Sequence, residues 1–288
     1  MFRLDREKIR QVLVLLTEGN GIRACSRIVG IHRDTVLSIL RFAGRRSEGL
    51  LKRKLVDIPA EHIEVDEIWT FVKKKERKYI DPETDMKWWG DYYTFLGLDS
   101  KTKLLFLPLV GKRTETSAKI FMESLAESVT GRIQITTDGF PAYREAVKHA
   151  FKDNVDFAQY YKEYNMLNKC KVNSFVAMAE QHNWKDRYRA QANGKPFLVR
   201  CGEPDGSLIT TCRIERANLT LRTASRRFNR ATICFSKDEE YLHYAVMLFV
   251  AHYNFVKPHG TLKGLTPAIG AGIENKRWKI CDLLRREG

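Results

Sequence analysis

The segment 212–235 reads CRIERANLTLRTASRRFNRATICF, and it constrains the chain most because it combines a helical apolar pattern with a dense positive charge. On a helix of 3.6 residues per turn, the apolar residues share one stripe, namely Ile214, Ala217, Leu221 and Phe228. The adjoining stripe contains Glu215, Asn218, Leu219, Arg222 and Arg226. Residues 213–230 contain six arginines and one acid. This pattern favours a helix that packs on a core and meets nucleic-acid phosphates, with a simple solvated basic helix as the alternative.

Composition agrees with a folded protein that binds an anionic partner. The chain has 288 residues, a formal net charge of +15 and 43% hydrophobic residues, which excludes a disordered basic tail and leaves room for two domains. The apolar run 244–250 is far shorter than a membrane span of roughly 20 residues. Six cysteines without a C-x-x-C pair, and no signal peptide, predict a cytoplasmic protein.

Residues 1–46 carry the pattern of a small all-α domain. Helices are predicted at 6–17, 22–29 and 32–43, with a Gly-Ile turn before the third, which together resemble a helix-turn-helix. In such a unit the last helix enters the major groove of DNA, so the outward candidates are Arg33, Asp34, Ser38 and Arg41, of which Arg33, Ser38 and Arg41 are predicted to contact DNA. A plain three-helix packing unit is the alternative.

A basic linker is predicted at 47–58, because the stretch from Gly44 to Lys54 mixes Gly, Ser and basic residues without apolar periodicity. Arg45 and Arg46 at its start are candidates for phosphate contact.

Residues 59–258 are predicted to form an α/β domain with a mixed sheet flanked by helices. Strands at 63–72, 92–98 and 103–110 form a meander, and a helix capped by Thr114 leads to a strand at 133–137. Asp66 lies within the first apolar strand, where a carboxylate is costly without a purpose, although Glu64 and Glu67 beside it leave open which acid matters. Asp138 follows the last strand, where open sheets gather ligands.

The remaining segments are less distinctive. Residues 153–212 are interpreted as an insertion between core elements, and residues 259–288 as a C-terminal tail. Ser236 is predicted to cap the helix that runs to about residue 254. The lysine-rich turn at 73–78 and the tryptophan pair at 88–89 are compatible either with packing and solvation or with DNA contact. A zinc site built from His182, Cys201 and Cys212 matches no common ligand spacing.

Three acids stand at separate elements of the predicted domain: Asp66, Asp138 and Glu215. Their order matches a ribonuclease H-like nuclease core. Converging carboxylates make an oxygen cage suited to Mg²⁺, and two such ions can clamp the attacking and leaving oxygens of an in-line displacement.

The chain also resembles a known family, the DDE transposases of bacterial insertion sequences, in the group typified by insertion sequence one. The motifs that carry the resemblance are VDEIW (65–69), TTDGFPAYRE (136–145), IERANLTLR (214–222), RRFNRATICFSK (226–237), HYNFVKPH (252–259) and LTPAIGAGI (265–273). Ala217 departs from the Gln or His of related sequences, and the chain lacks the N-terminal zinc-binding element that some relatives have.

The resemblance implies a catalytic and metal-binding triad of Asp66, Asp138 and Glu215, with Arg222 contacting DNA beside it. It implies two Mg²⁺ ions, replaceable by Mn²⁺, a double-stranded DNA partner comprising element ends and target, homo-oligomers on DNA, and a nucleoid-associated location in a bacterium. The expected activity is cleavage of the element ends and joining of the 3′-OH to target DNA.

Two other functions are compatible with parts of the sequence. A transposase-derived DNA-binding regulator without catalysis would use the same N-terminal helices. A tyrosine recombinase would use Tyr253 as nucleophile but would leave the three acids unexplained.

Overall fold

The computed structural model describes residues 4–76, 86–160, 187–190 and 196–284. His182, Arg77 and Lys78 lie outside the described residues. The helices are α1 (Arg6–Thr17), α2 (Ile22–Val29), α3 (Arg33–Lys54), α4 (Glu115–Ser128), α5 (Ala142–Phe151), α6 (Cys212–Ala224), α7 (Glu239–Ala251) and α8 (Pro267–Gly270). The strands are β1 (His62–Val72), β2 (Gly90–Asp99), β3 (Leu109–Gly111), β4 (Ile133–Thr137), β5 (Val155–Tyr160), β6 (Arg187–Ala190) and β7 (Pro196–Cys201).

The strands form one mixed sheet in the order β3-β2-β1-β4-β5-β7-β6. The first three are an antiparallel meander, whereas β4 pairs parallel to β1 and β5 pairs parallel to β4. This arrangement confirms the predicted mixed α/β sheet flanked by helices. The interpretation of 153–212 as an insertion is wrong at its start, because β5 extends the central sheet and β7 pairs with it.

The third strand is shorter than predicted. Only Leu109–Gly111 pairs with β2, while Leu105 makes an isolated bridge to Leu98. The side-chain amide of Asn254 occupies the other side of Leu105, since its Oδ1 accepts a hydrogen bond from Leu105 N at 3.0 Å and its Nδ2 donates to Leu105 O at 2.7 Å. A buried amide therefore satisfies the N–H and C=O that Leu105 directs away from β2.

Alternation along β1 assigns the covering helices to opposite faces of the sheet. Phe95, the register partner of Glu67, packs its ring on Phe121 of α4 and on Tyr143 of α5. Asp66, on the other face, accepts a hydrogen bond from Asn218 of α6. Consecutive acids of β1 thus face different helices.

The N-terminal helices occur where they were predicted, but the linker does not. Helix α3 continues to Lys54, so the predicted linker 47–58 is helical over most of its length. Gly44 is the reason that α3 can lie against α7, because a Cβ there would lie 2.3 Å from Cβ of Tyr244. The buried residues of α1–α3 belong to the same apolar core as the sheet. A DNA-binding role for these helices stays a prediction.

Helix α7 begins later than predicted. Its N-cap is Asp238, whose carboxylate accepts from the backbone of Glu240 at 2.8 Å and of Tyr241 at 3.3 Å, so the predicted cap at Ser236 is wrong. Ser236 pairs instead with the end of β1, where its carbonyl accepts from Lys73 N at 2.9 Å. No helix in the described ranges combines the length and apolar character of a membrane span.

Candidate metal centre

Parallel pairing of β1 with β4 brings the first two predicted acids together. The last register pair joins Val65 to Thr137, so Asp66 and Asp138 are the next residue on each strand. Beyond this point β4 leaves the sheet and β1 continues, which opens a space at the strand end. The two aspartates that were predicted to bind metal therefore lie at the same end of the paired strands.

Glu67 joins them as a third acid. Carboxylate oxygens of Asp66, Glu67 and Asp138 lie within 4.8 Å of one another. The side chain of Glu67 is 3% exposed, and its Oε1 has no hydrogen-bond partner among the described residues. Burial, together with the charge of Asp138, raises the pKa of Glu67 to about 8. The sequence left open which of Glu64, Asp66 and Glu67 matters, and the structure brings Glu67 to Asp66 although the two lie on opposite faces of the sheet.

Arg113 is the basic residue of this cluster, and sequence reasoning missed it. Its Nε lies 3.7 Å from Oε1 of Glu67, and its Nη2 lies 3.7 Å from Oδ2 of Asp138. The guanidinium stacks on Phe140, with its carbon 3.9 Å from the ring centroid. In the sequence Arg113 is only a basic residue that precedes the N-cap Thr114, and such a position does not by itself indicate a metal or DNA site.

Asp138 is held by the turn that follows it. Its Oδ1 accepts a hydrogen bond from Phe140 N at 3.0 Å. The side-chain amide of Gln159 donates to the carbonyls of Asp138 and Phe140, at 3.0 and 3.1 Å. These bonds fix the turn that carries both the acid and the ring under Arg113.

Glu215 lies in the first turn of α6, but it is not part of the group of carboxylates within 4.8 Å. Its Oε1 accepts a hydrogen bond from the hydroxyl of Thr211 at 2.6 Å. Its helix is nevertheless attached to the site, because Asn218, one turn further on, donates to Oδ2 of Asp66 at 2.9 Å. The structure thus groups two acids of the predicted triad with Glu67, and it places the third on an adjoining helix.

Glu64 holds the N-terminus of that helix. Its fully buried carboxylate accepts from the backbone of Arg213 at 2.8 Å and of Ile214 at 3.0 Å, and from Nη1 of Arg213 at 2.8 Å. Ser100 Oγ adds a bond at 3.3 Å, and it lies 2.7 Å from Nδ1 of His62. Burial lowers the pKa of His62 to about 4. An anion at a helix N-terminus is favourable, so Glu64 connects β1 to α6.

The predicted DNA contacts of α3 divide into two groups. Arg33 and Ser38 are exposed; Arg33 lies 3.4 Å from Asp34, and the Ser38 hydroxyl donates to the Asp34 carbonyl at 2.8 Å. Arg41 and Arg45 instead face α7, because α3 packs along it.

The contacts of the second group are specific. Arg41 donates to the hydroxyl of Tyr241, and Arg45 to that of Tyr244, both at 2.8 Å. Both arginines also pair with Glu240, at 3.5 and 3.3 Å. Arg46 lies over the ring of Phe42, at 5.4 Å from its centroid. Packing against α7 therefore engages Arg41 and Arg45, whereas Arg46 contacts a ring of its own helix.

The predicted basic stripe on α6 is interrupted. The helix ends at Ala224, so Arg226 lies in a separate 3₁₀ turn, where it is exposed. Asn218 is buried and donates to Asp66, so it does not lie on an exposed stripe, and its contact with DNA stays a prediction. Arg222 is half-buried, and its Nε has no hydrogen-bond partner among the described residues.

Lysines and aromatic rings cover the end of β1. The ammonium groups of Lys73 and Lys74 lie 5.6 and 5.4 Å from the ring centroid of Trp89, and that of Lys75 lies 5.5 Å from Trp69. Lys75 also donates to the carbonyl of Arg230 at 3.1 Å. Cation–π contacts thus hold these lysines together as a basic surface. Lys73 is seven residues after Asp66, which along a strand corresponds to roughly 23 Å.

The carboxylate cluster fits a hard divalent cation. Its donors are all oxygens, and one of them is a buried oxygen without a hydrogen bond, which a cation would satisfy. Carboxylates this close repel one another when ionised, and Arg113 lies within ion-pair distance of Glu67 and of Asp138. Cys201 and Cys212 belong to no described group of three potential metal ligands.

Tyr253 does not fit the role of a nucleophile. It is 5% exposed, and its ring packs against His259 at 4.3 Å between centroids. Burial raises the pKa of its hydroxyl. An activated tyrosine would need access to DNA and a depressed pKa, and this residue has neither.

Comparison with known proteins agrees with the family predicted from the motifs. The family model described as IS1 transposase matches residues 175–256, which include α6, Glu215 and α7. This match confirms the predicted resemblance and supports a DNA transposase. No curated protein matches the chain.

The solved structures that are similar to the chain are distant from it. A piggyBac transposase synaptic complex with hairpin DNA is 11% identical, with a TM-score of 0.33, over 78% of this chain and 52% of that one. The chain therefore spans about half the length of that transposase. The Mos1 strand transfer complex is 10% identical, with a TM-score of 0.24, over 88% of this chain and 77% of that one.

Proposed function

We propose that the protein is a DNA transposase that cleaves the ends of an insertion sequence and joins the resulting 3′-OH ends to target DNA. The observation that carries the proposal is the gathering of Asp66 and Asp138 at one strand end, beside the helix that bears Glu215. The family match over that helix supports the same activity.

Asp66, Asp138 and Glu215 would hold the metal, with Mg²⁺ as the expected ion and Mn²⁺ as a substitute. The bound ions would activate water and stabilise the leaving oxygen of the phosphodiester. Asn218 orients the carboxylate of Asp66, and the Phe140 backbone orients that of Asp138. Glu64 holds the start of α6, which places Glu215 beside the strand that carries Asp66.

Double-stranded DNA would reach the acids over a basic surface. Arg222 and Arg226 are the proposed contacts close to the cut site, and Arg33 and Ser38 are the proposed contacts to the element end. Arg41, Arg45 and Arg46 remain proposed DNA contacts, and each would add a phosphate to its present partner on α7 or α3. Joining two ends to one target requires more than one active site, so we expect a homo-oligomer on DNA, in the cytoplasm of a bacterium.

A DNA-binding regulator without nuclease activity is the second candidate, favoured by the helices at 6–54, which would bind DNA in either case. The experiment that separates the two supplies Mg²⁺ and a duplex that carries the DNA flanking the gene. A transposase cuts the end of this duplex, and Asp138→Asn abolishes cutting while the variant still binds the same duplex. Retarded mobility of the duplex without any cleavage, in Mg²⁺ and in Mn²⁺, supports the regulator.

A further inference from the structure

Arg113 is the feature of the site that the proposed mechanism leaves unused. It lies in the stretch between β3 and α4, one residue before the N-cap Thr114. Its side chain is 37% exposed, whereas the side chain of its neighbour Glu67 is 3% exposed. The guanidinium therefore lies at the boundary between the buried acids and the solvent from which DNA must arrive.

The contacts of Arg113 leave its hydrogen-bond donors available. Both ion pairs, to Glu67 and to Asp138, are 3.7 Å long, which exceeds the length of a hydrogen bond. No described residue accepts a hydrogen bond from its guanidinium. Phe140 fixes the plane of the group by stacking at 3.9 Å, which uses no N–H.

A planar, oriented guanidinium with uncommitted N–H groups matches the geometry of a phosphate. Any phosphate that approaches Asp138 would come close to Arg113, because Nη2 lies 3.7 Å from the Asp138 carboxylate. The positive charge would also offset the repulsion between that phosphate and the three acids.

We propose that Arg113 binds the phosphate at the cut site, held for this task by Phe140, and that it serves as counter-ion of the acid cluster when DNA is absent. This inference rests on the proposed function and adds a substrate-binding residue to it. It predicts two effects of opposite sign for loss of the charge: weaker binding of the phosphate and tighter binding of a divalent cation.

The test uses the full chain and element-end duplexes that differ at one position. One duplex has the natural phosphate at the cut site, and the other has an uncharged methylphosphonate there. Affinities are measured in EDTA, so that no divalent ion bridges protein and DNA. For the unchanged protein we expect the methylphosphonate to weaken binding about tenfold.

Arg113→Gln should remove this discrimination or reverse it, because the remaining acids repel the natural phosphate. Arg113→Lys should keep part of it, since the charge remains but the planar fork is lost. Arg144→Gln is the matched control: it removes the same charge from an exposed position on α5, where Arg144 lies 3.9 Å from Glu145. The control should discriminate as strongly as the unchanged protein.

The second readout is Mn²⁺ binding by the protein without DNA, followed by electron paramagnetic resonance. Arg113→Gln should bind Mn²⁺ about tenfold more tightly, because a competing positive charge has been removed. Equal discrimination by Arg113→Gln and the unchanged protein would overturn the proposal, as would unchanged Mn²⁺ affinity. Failure of the unchanged protein to bind or cut the element end would instead contradict the proposed transposase itself.

Discussion

Glu64 and Glu67 lie three residues apart on β1, and both are buried, yet their surroundings differ completely. The carboxylate of Glu64 accepts hydrogen bonds from two backbone N–H groups, a guanidinium and a hydroxyl. One oxygen of Glu67 has no hydrogen bond among the described residues, and its neighbours include two further acids. Alternation along the strand separates them, because Glu64 faces α6 and Glu67 faces α4 and α5.

This difference indicates which acid belongs to the framework and which to the site. A buried carboxylate with a full set of donors stabilises the fold, and its removal leaves those donors unsatisfied. A buried carboxylate with an oxygen that accepts no hydrogen bond costs free energy, and such a cost is typical of a functional position. The face of β1 toward α6 thus carries the structural Glu64 next to the site acid Asp66, whereas the opposite face contributes Glu67 to the cluster.

The largest effect should come from Glu64→Gln. This change removes the charge that Arg213 and the N-terminus of α6 require, so we expect the free energy of unfolding to fall by about 3 kcal/mol. Glu67→Gln is the matched control, and it should leave stability unchanged or raise it. Urea unfolding of the two variants measures both values. Equal losses would show that the two carboxylates do not differ as the structure indicates.

A second prediction concerns pH. The pKa of Glu67 is raised to about 8 by burial and by Asp138, so the folded protein holds this proton more tightly than the unfolded chain. Its stabilising contribution is complete below the ordinary pKa near 4.5, and it is lost as the pH rises to about 8. Without metal, the unchanged protein should therefore lose stability more steeply than Glu67→Gln over this range.

Urea unfolding in EDTA at pH 5 and pH 8.5 measures that difference. If the free energy of unfolding of the two proteins changed equally between these pH values, Glu67 would titrate normally. Its surroundings would then not differ from those of Glu64 in the way proposed.

The smallest effect is expected for Ser100→Ala. Ser100 contributes one 3.3 Å hydrogen bond to Glu64 and lies 2.7 Å from His62, so its loss should cost about 1 kcal/mol. Metal affinity should not change, because Ser100 bonds to Glu64 and His62, and neither belongs to the carboxylate cluster. A variant of normal stability with weakened Mn²⁺ binding would show that the Glu64 network serves the metal directly.

Much of the fold could be predicted because it follows local patterns. A run of β-branched and aromatic residues identified β1. Thr114 identified the start of α4, and its hydroxyl accepts a hydrogen bond from Ser117 N at 3.2 Å. The linker prediction was wrong because a glycine at a close helix crossing has the same composition signal as a glycine in a flexible segment. Only the tertiary partner, Tyr244, distinguishes the two cases.

The site was predictable only in part, for a similar reason. Asp66 and Asp138 follow from their places in strands, and both lie in the cluster. Glu67 joins the cluster from the opposite face of the sheet, and Arg113 joins it from the stretch before α4. No periodicity in the sequence connects these two positions with the aspartates. Asn218 was assigned to a DNA-facing stripe because the helical pattern of α6 alone does not show which strand residue packs on it. In the structure Asp66 of β1 accepts its hydrogen bond.

The central claim is that the strand end bearing Asp66 and Asp138 holds the divalent ion on which DNA cleavage depends. Crystals of the full chain soaked in Mn²⁺ test this claim most directly, through an anomalous difference map. The account predicts a peak about 2.0 to 2.4 Å from carboxylate oxygens of both aspartates, and no peak at Glu64, whose oxygens are already satisfied. A map without a peak at the two aspartates, at a Mn²⁺ concentration that supports cleavage in solution, would contradict it.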